Sequence, residues 1–423
     1  MNIFRTLQKY IRRNPKLYCW VKENLFWLYT LFIPTYPRPL GGEVKAVKKV
    51  LKSPLWNMSY GTDLVHNKLE EEFASFIGTR YAICVNTGGM AIQISLRALG
   101  LKPGDEVIHQ VDTCVADAFA VLNAGATPVF SDISMESFGL LEEDIERNIS
   151  SHTRAIMPIH IWGNPENMDM VRRLAEKHKL IVIEDAALAF GAQYKGKKVG
   201  SLADVGIFSF GSTKPIQTGE GGMITTNNEA LARELRTIRH WGEMTSQYGV
   251  RDQRTLSWNG RMSEIVAAVA LEQVRAYAKM LERIRGNVAH LSEYLEKIEG
   301  MELVHAGQDG SASIYAQAVV KIDEKALGIS KEKLMNRLRS EGIPVWHANF
   351  EPINSLSFFK GGEWKNWVIK GDIARIEKNY SGRFENSETV YGKTGLGFMR
   401  YNFLSRGNVK YLIKKLDSIL IYR

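Results

Sequence analysis

Apolar positions repeat with two different periods along the chain, and the change of period divides it. At the start, Ile3, Phe4, Leu7, Tyr10 and Ile11 recur at helical spacing while Arg5, Lys9, Arg12 and Arg13 fall largely off that stripe. This predicts a basic amphipathic helix. A second apolar segment, Leu17 to Ile33, follows the Asn14-Pro15 break. Its uncharged run from Leu25 to Ile33 is shorter than the roughly 20 residues that a membrane span requires. Pro34, Tyr36, Pro37 and Arg38 stand where a secretory cleavage site would need small residues.

From Glu43 onward helical stretches alternate with short β-branched runs. Helices are expected near 43–52 and 66–76. Strands are expected at Tyr81 to Val85, Glu106 to Gln110, Thr127 to Ser131, Ala155 to Ile159, Leu180 to Glu184, Val205 to Phe210 and Gly222 to Thr226. That alternation is the signature of an α/β sheet unit. A long connecting helix is read over 261–299. Beyond it come a strand from Ala316 to Ile322, a helix from Lys331 to Ser340 and a last helix near Asn408 to Ile421. The expected organisation is an N-terminal extension over 1–40, a large α/β unit over 41–299 and a smaller α+β unit over 300–423. The stretch 354–395 has little periodicity and reads as an insertion or lid.

Composition sharpens this picture in two ways. The net charge is +9, but residues 1–40 hold seven cations against the single Glu23, so the extension supplies six of those nine charges. The nearly neutral remainder argues against a nucleic-acid face, and moves any electrostatic attachment, such as peripheral contact with a membrane, to the extension. A helical extension packed on the body or across a dimer is the equally weighted alternative. The three cysteines, Cys19, Cys84 and Cys114, lack metal-ligand spacing, so no metal site is expected and a cytoplasmic setting is the default.

Three short stretches carry candidate chemistry. Asn86-Thr87-Gly88-Gly89 joins a strand to a helix, where free N–H groups suit a phosphate. The apolar strand from Leu180 delivers Asp185 at its end, where open α/β sheets place ligands. Lys214 lies among hydroxyls and glycines just past the strand that ends near Ser209. Desolvated there, it could serve as an amine nucleophile. Each alone has a bland reading as a tight turn, a cap or a surface lysine. Together they supply a phosphate cradle, a carboxylate for a pyridinium nitrogen and an amine for an aldehyde, which a pyridoxal phosphate site requires.

Val182-Ile-Glu-Asp-Ala-Ala, Phe208-Ser-Phe followed by Lys214 and Gly219-Glu-Gly-Gly222, and Trp258-Asn-Gly-Arg-Met-Ser-Glu264 resemble the DegT/StrS-type sugar aminotransferase family in order and spacing. The resemblance runs from about Pro39 to the C-terminus. It implies the fold-type I, aspartate aminotransferase-like architecture, a large mixed-sheet domain plus a smaller α+β C-terminal domain, with pyridoxal 5'-phosphate as cofactor. By position it implies Lys214 as the lysine that bonds the cofactor's aldehyde, Asp185 as the partner of the pyridine nitrogen, and Gly88, Gly89 and Ser209 as phosphate binders. Asn259 resembles a phosphate ligand given by the neighbouring subunit, which implies a homodimer with shared active sites. The implied reaction moves an amino group from glutamate or glutamine to a keto-sugar, usually nucleotide-linked.

The chain also departs from the family pattern. Gly89 stands where Thr is usual, Cys114 where an aromatic residue stacks on the cofactor, and Leu188 where Gln follows Asp-Ala-Ala. His347 lies where relatives often contact substrate, though a lone His beside Trp346 is more often structural. Two other functions are weighed. A sugar dehydratase of the same family would have histidine at Lys214. A membrane-docked binding or regulatory protein would keep the fold without turnover.

Overall fold

The computed structural model describes residues 41–54, 56, 64–245, 251–304, 310–368, 371 and 373–421. The amphipathic reading of residues 1–40 lies outside them. Seven strands form the main sheet: β1 (Tyr81–Val85), β2 (Glu106–Gln110), β3 (Thr127–Ser131), β4 (Thr153–Ile156), β5 (Ile181–Asp185), β6 (Val205–Ser209) and β7 (Gly222–Thr226). They lie in the order β1-β7-β6-β5-β4-β2-β3. β7 runs antiparallel to β1 and β6. The pairs from β6 across to β3 are parallel. Ile108, Val129, Ile156, Ile183, Ile207 and Ile224 are all fully buried, as continuous apolar runs must be when helices cover both faces of a sheet. Four strands coincide with the sequence expectation. β4 stops short of it at Ile156, before Pro158, which has no N–H to give the ladder.

Three helices position the chemistry. α1 (Gly88–Ala98) leaves the end of β1, and α2 (Val115–Asn123) follows β2. α3 (Glu264–Leu295) begins at Ser263, whose side chain accepts a hydrogen bond from the Val266 N–H. Its first half buries Ala267, Leu271, Val274 and Leu281 beside the main sheet. Its second half buries Ile284, Val288, Leu291 and Leu295 in a separate core. That second core belongs to an antiparallel sheet of β8 (Met301–Leu303), β9 (Gln317–Ile322), β10 (Val345–His347) and β11 (Gly395–Met399), ordered β8-β9-β11-β10.

Residues read as an insertion or lid pack against the main sheet. Phe359, Trp364, Ile376, Tyr380 and Phe384 share a core with Ile108, Val129 and Phe130. β3 is the sheet's edge, and the Asn379 amide satisfies it. Its Oδ1 accepts from Phe130 N–H at 2.9 Å while its Nδ2 donates to Phe130 O at 2.9 Å. Tyr380 O–H donates to Pro128 O at 2.7 Å. An edge strand with free backbone groups invites pairing with other chains, and this segment closes it. Its aromatic anchors are irregularly spaced, which is why no periodicity betrays them. Among the described residues, no helix is long and apolar enough to cross a membrane.

Candidate active site

Strand register brings the candidate residues to one edge of the main sheet. Gly222 of β7 pairs with Val85 on one side and Ser209 on the other. The Asn86–Gly89 turn therefore emerges beside the end of β6. β5 lies parallel on the other side of β6 and ends at Asp185.

Close approach at this edge demands glycine. A Cβ on Gly88 would lie 2.7 Å from the Ser209 Cβ, and one on Gly222 would lie 2.6 Å from Thr87 O. Gly89 faces open space, with nothing within 4 Å of a Cβ there. Thr87 caps α1, its hydroxyl accepting from Met90 N–H at 3.1 Å. The Gly88 and Gly89 N–H groups belong to the first turn and have no acceptor within the helix. They sit at the positive end of its dipole.

Asp185 is buried, and its Oδ1 accepts from Ala187 N–H at 2.8 Å. Burial raises its carboxyl above the usual range, opposed by that N–H and by the charge of Lys214. Lys214 is half-buried in a turn closed by its own N–H donating to Gly211 O at 3.0 Å. Gln217 Nε2 donates to Lys214 O at 2.8 Å. Gln217 is in turn clamped by Gln273 of α3, which accepts from its N–H and donates to its carbonyl, both at 2.8 Å. The lysine thus rides on a turn pinned to the longest helix.

Cys114 immediately precedes α2, close enough to Lys214 and Asp185 to feel both charges. Burial, then the Asp117 carboxylate, pushes its thiol up. Leu188 is buried in the turn after Asp185. Asn259 is exposed, and its carbonyl accepts from Asn86 Nδ2 of the same chain at 3.1 Å. His347 lies in β10 of the second sheet, stacked on Tyr391 at 4.2 Å and bonded through Nδ1 to Tyr391 O at 2.8 Å. Its described contacts do not include Asp185 or Lys214.

Several residues at the site escaped sequence reasoning. His160 is fully buried behind Asp185, with Nδ1 accepting from Glu166 N–H and Nε2 donating to Glu184 Oε1, both at 2.9 Å. Asp112 is buried where β2 leads into α2, and accepts from Asn349 Nδ2 at 2.9 Å and Gln110 Nε2 at 3.1 Å. Burial pushes it up to about 8. Thr113 and Asp117 bond each other at 2.5 Å. None lies in a sequence pattern with a spacing of its own; only the fold assembles them.

Residues 41–366 match the DegT/DnrJ/EryC1/StrS aminotransferase family. The chain belongs to that family. Over 322 residues it is 36% identical to the GDP-perosamine synthase of Caulobacter vibrioides, covering 74% of this chain and 83% of that one. It is 31% identical over 340 residues to a spore coat polysaccharide biosynthesis protein of Bacillus subtilis, covering 78% and 86%. The X-ray structure of an aminotransferase from Psychrobacter cryohalolentis superposes with a TM-score of 0.81 at 27% identity, covering 91% of this chain and 98% of that one. The aminotransferase fold thus accounts for the mixed sheet.

Proposed function

We propose that this aminotransferase binds pyridoxal 5'-phosphate where β1, β5 and β6 end, and moves an amino group from glutamate or glutamine to a nucleotide-linked keto-sugar. The product would feed a cell-surface polysaccharide or a natural product. The observation that carries this reading is the meeting of three groups at one sheet edge: Lys214, buried Asp185, and a glycine turn seated against Ser209. The residues fit the cofactor, because glycine at 88 lets the turn sit against Ser209, where a Cβ would collide, and so sets that hydroxyl beside first-turn amides that suit an anion. The names of the relatives support the sugar substrate and the polysaccharide role.

When bound, the cofactor supplies an aldehyde that carries the amino group and a ring that accepts electrons. The chain's own residues do the rest. Gly88 and Gly89 N–H groups, with the Ser209 hydroxyl, hold the phosphate. Asp185 keeps a positive charge on the pyridine nitrogen by opposing it at close range. Lys214 Nζ would hold the cofactor through its aldehyde carbon, the aldehyde oxygen leaving as water, and, once displaced by the donor amine, would act as the base that accepts the donor's α-proton and the acid that gives it back. Cys114 and Leu188 pack the ring with a small and an apolar group. His347 remains a substrate-contact candidate from the second sheet. Retention of Lys214 favours amino transfer over dehydration and over a non-catalytic binding role.

The reading includes a homodimer in which Asn259 reaches the phosphate of the neighbouring subunit. Its backbone lies beside its own chain's turn, so cis and trans roles must be separated by experiment. Mixing a Lys214→Ala chain with an Asn259→Ala chain should form hybrid dimers with one intact site. Activity above either parent, measured after subunit exchange, is the expected outcome. Equal activity would place Asn259 in cis or outside the site.

The division into 1–40, 41–299 and 300–423 belongs to the same reading, with a cytoplasmic enzyme held at the membrane's inner face by the first segment. Each Lys or Arg near an anionic leaflet contributes roughly 1 kcal/mol, screened by salt. Deleting residues 1–36 should preserve amino transfer and abolish sedimentation with anionic vesicles. Full-length protein that ignores such vesicles would end the membrane idea.

A further inference from the structure

Lys214 sits in a turn whose ends meet at the sheet edge, where Phe210 N–H donates to Gly221 O at 2.8 Å and Thr218 N–H to Phe210 O at 2.9 Å. Two glutamines fasten this turn from inside. Gln217 is 1% exposed, and its Nε2 donates to Lys214 O at 2.8 Å. Gln273 of α3, also buried, accepts Gln217 N–H on Oε1 and donates from Nε2 to Gln217 O, both at 2.8 Å. Turning either amide over would set donor against donor or oxygen against oxygen, so the partners fix both orientations.

Folding alone does not call for this arrangement. Gln217 Oε1 is buried without a hydrogen-bond partner among the described residues, and a buried polar atom left unpaired is destabilising. The turn has an apolar anchor besides, because Ile216 is 1% exposed in the core that also takes Leu271 and Val274 of α3. A methionine at 217 would fill similar space, leave no orphaned oxygen and keep both backbone bonds to Gln273. It would lose only the bond to Lys214 O.

We propose that Gln217, held by Gln273, is a positioning residue for Lys214: it fixes the lysine's backbone so that Nζ meets the cofactor's aldehyde carbon at one place. This rests on the proposed cofactor site. A lysine amine rides on a flexible four-carbon stem, so the fixed backbone is what limits the space it searches. Nζ bonds the aldehyde carbon as the aldehyde oxygen leaves as water, and the donor amine later displaces it. Each return of the lysine needs the same approach, and reaction between held groups is fast only while they stay in register. The clamp therefore controls the placement of the amine rather than affinity for the cofactor.

Gln217→Met separates placement from folding. The cofactor-stripped variant should unfold at the temperature of wild type or above it, because the orphaned oxygen is gone. After mixing with pyridoxal phosphate, its visible band should grow about 10- to 100-fold more slowly than that of wild type, the scale on which a small misplacement of a reacting group acts. In Lys214→Ala chains, where no bond to this lysine forms, fluorescence quenching should give the same cofactor affinity with Gln or Met at 217. If Gln217→Met fails to fold, Gln217→Ala, too short to reach Lys214 O, takes its place in both cofactor measurements. A band that grows as fast in the variant as in wild type overturns the positioning role. So does a lower affinity in the Lys214→Ala chain that also carries the 217 substitution, which would make Gln217 a support of the whole site. Wild type that binds pyridoxal phosphate without forming the band would instead overturn the lysine's bond to the cofactor, and the positioning role with it.

Discussion

Replacing Lys214 with Ala should abolish amino transfer. Loss of a positioned proton carrier alone costs about 10²- to 10⁴-fold in rate, and in the proposed reaction this residue would also form the bond to the aldehyde that is exchanged with the donor. Its turn is held by Gly211 and by the Gln217–Gln273 clamp through backbone atoms, none of which belongs to the lysine side chain. The substitution should therefore leave folding intact, so that far-ultraviolet circular dichroism matches wild type while steady-state turnover vanishes. Single-turnover mixing with glutamate should be slowed as well. Turnover within a few-fold of wild type would remove Lys214 from the chemistry.

Asp185→Ala should weaken cofactor binding and turnover together. A hydrogen bond to a charged group contributes about 1.5–3 kcal/mol, which corresponds to roughly 10- to 100-fold in cofactor affinity. Turnover should fall further than affinity, because the ring accepts electrons well only while its nitrogen stays protonated. Titration of the stripped variant with pyridoxal phosphate, followed by fluorescence quenching, gives the first quantity, and kcat at saturating cofactor gives the second. If neither changes, Asp185 does no more than accept the Ala187 N–H in its turn.

What could be read from the sequence follows physical locality. Strands such as Thr127–Ser131 and Gly222–Thr226 are marked by contiguous apolar and β-branched residues, so their limits are plain. Gly88, Asp185 and Lys214 each sit at or just past the end of such a strand, and strand ends are where sheets present ligand groups. Asp117 and His160 gave no such signal. The first is a single acidic residue in a mostly apolar helix, and the second precedes a short turn; their bearing on Asp185 exists only after β2, β4 and β5 align. The edge cover at Asn379 and Tyr380 escaped for the same reason, since its partner Phe130 lies 249 positions away from Asn379. The role of Gly222 was hidden too, because a glycine's use depends on what the fold brings against it.

Reduction with borohydride followed by peptide mass analysis tests the central claim most directly. Protein saturated with pyridoxal phosphate should absorb in the visible, lose that band on reduction, and yield a peptide spanning Lys214 that carries the mass of the reduced cofactor on that lysine. A reduced cofactor bonded to another lysine, or a Lys214 peptide recovered unmodified, would contradict the account.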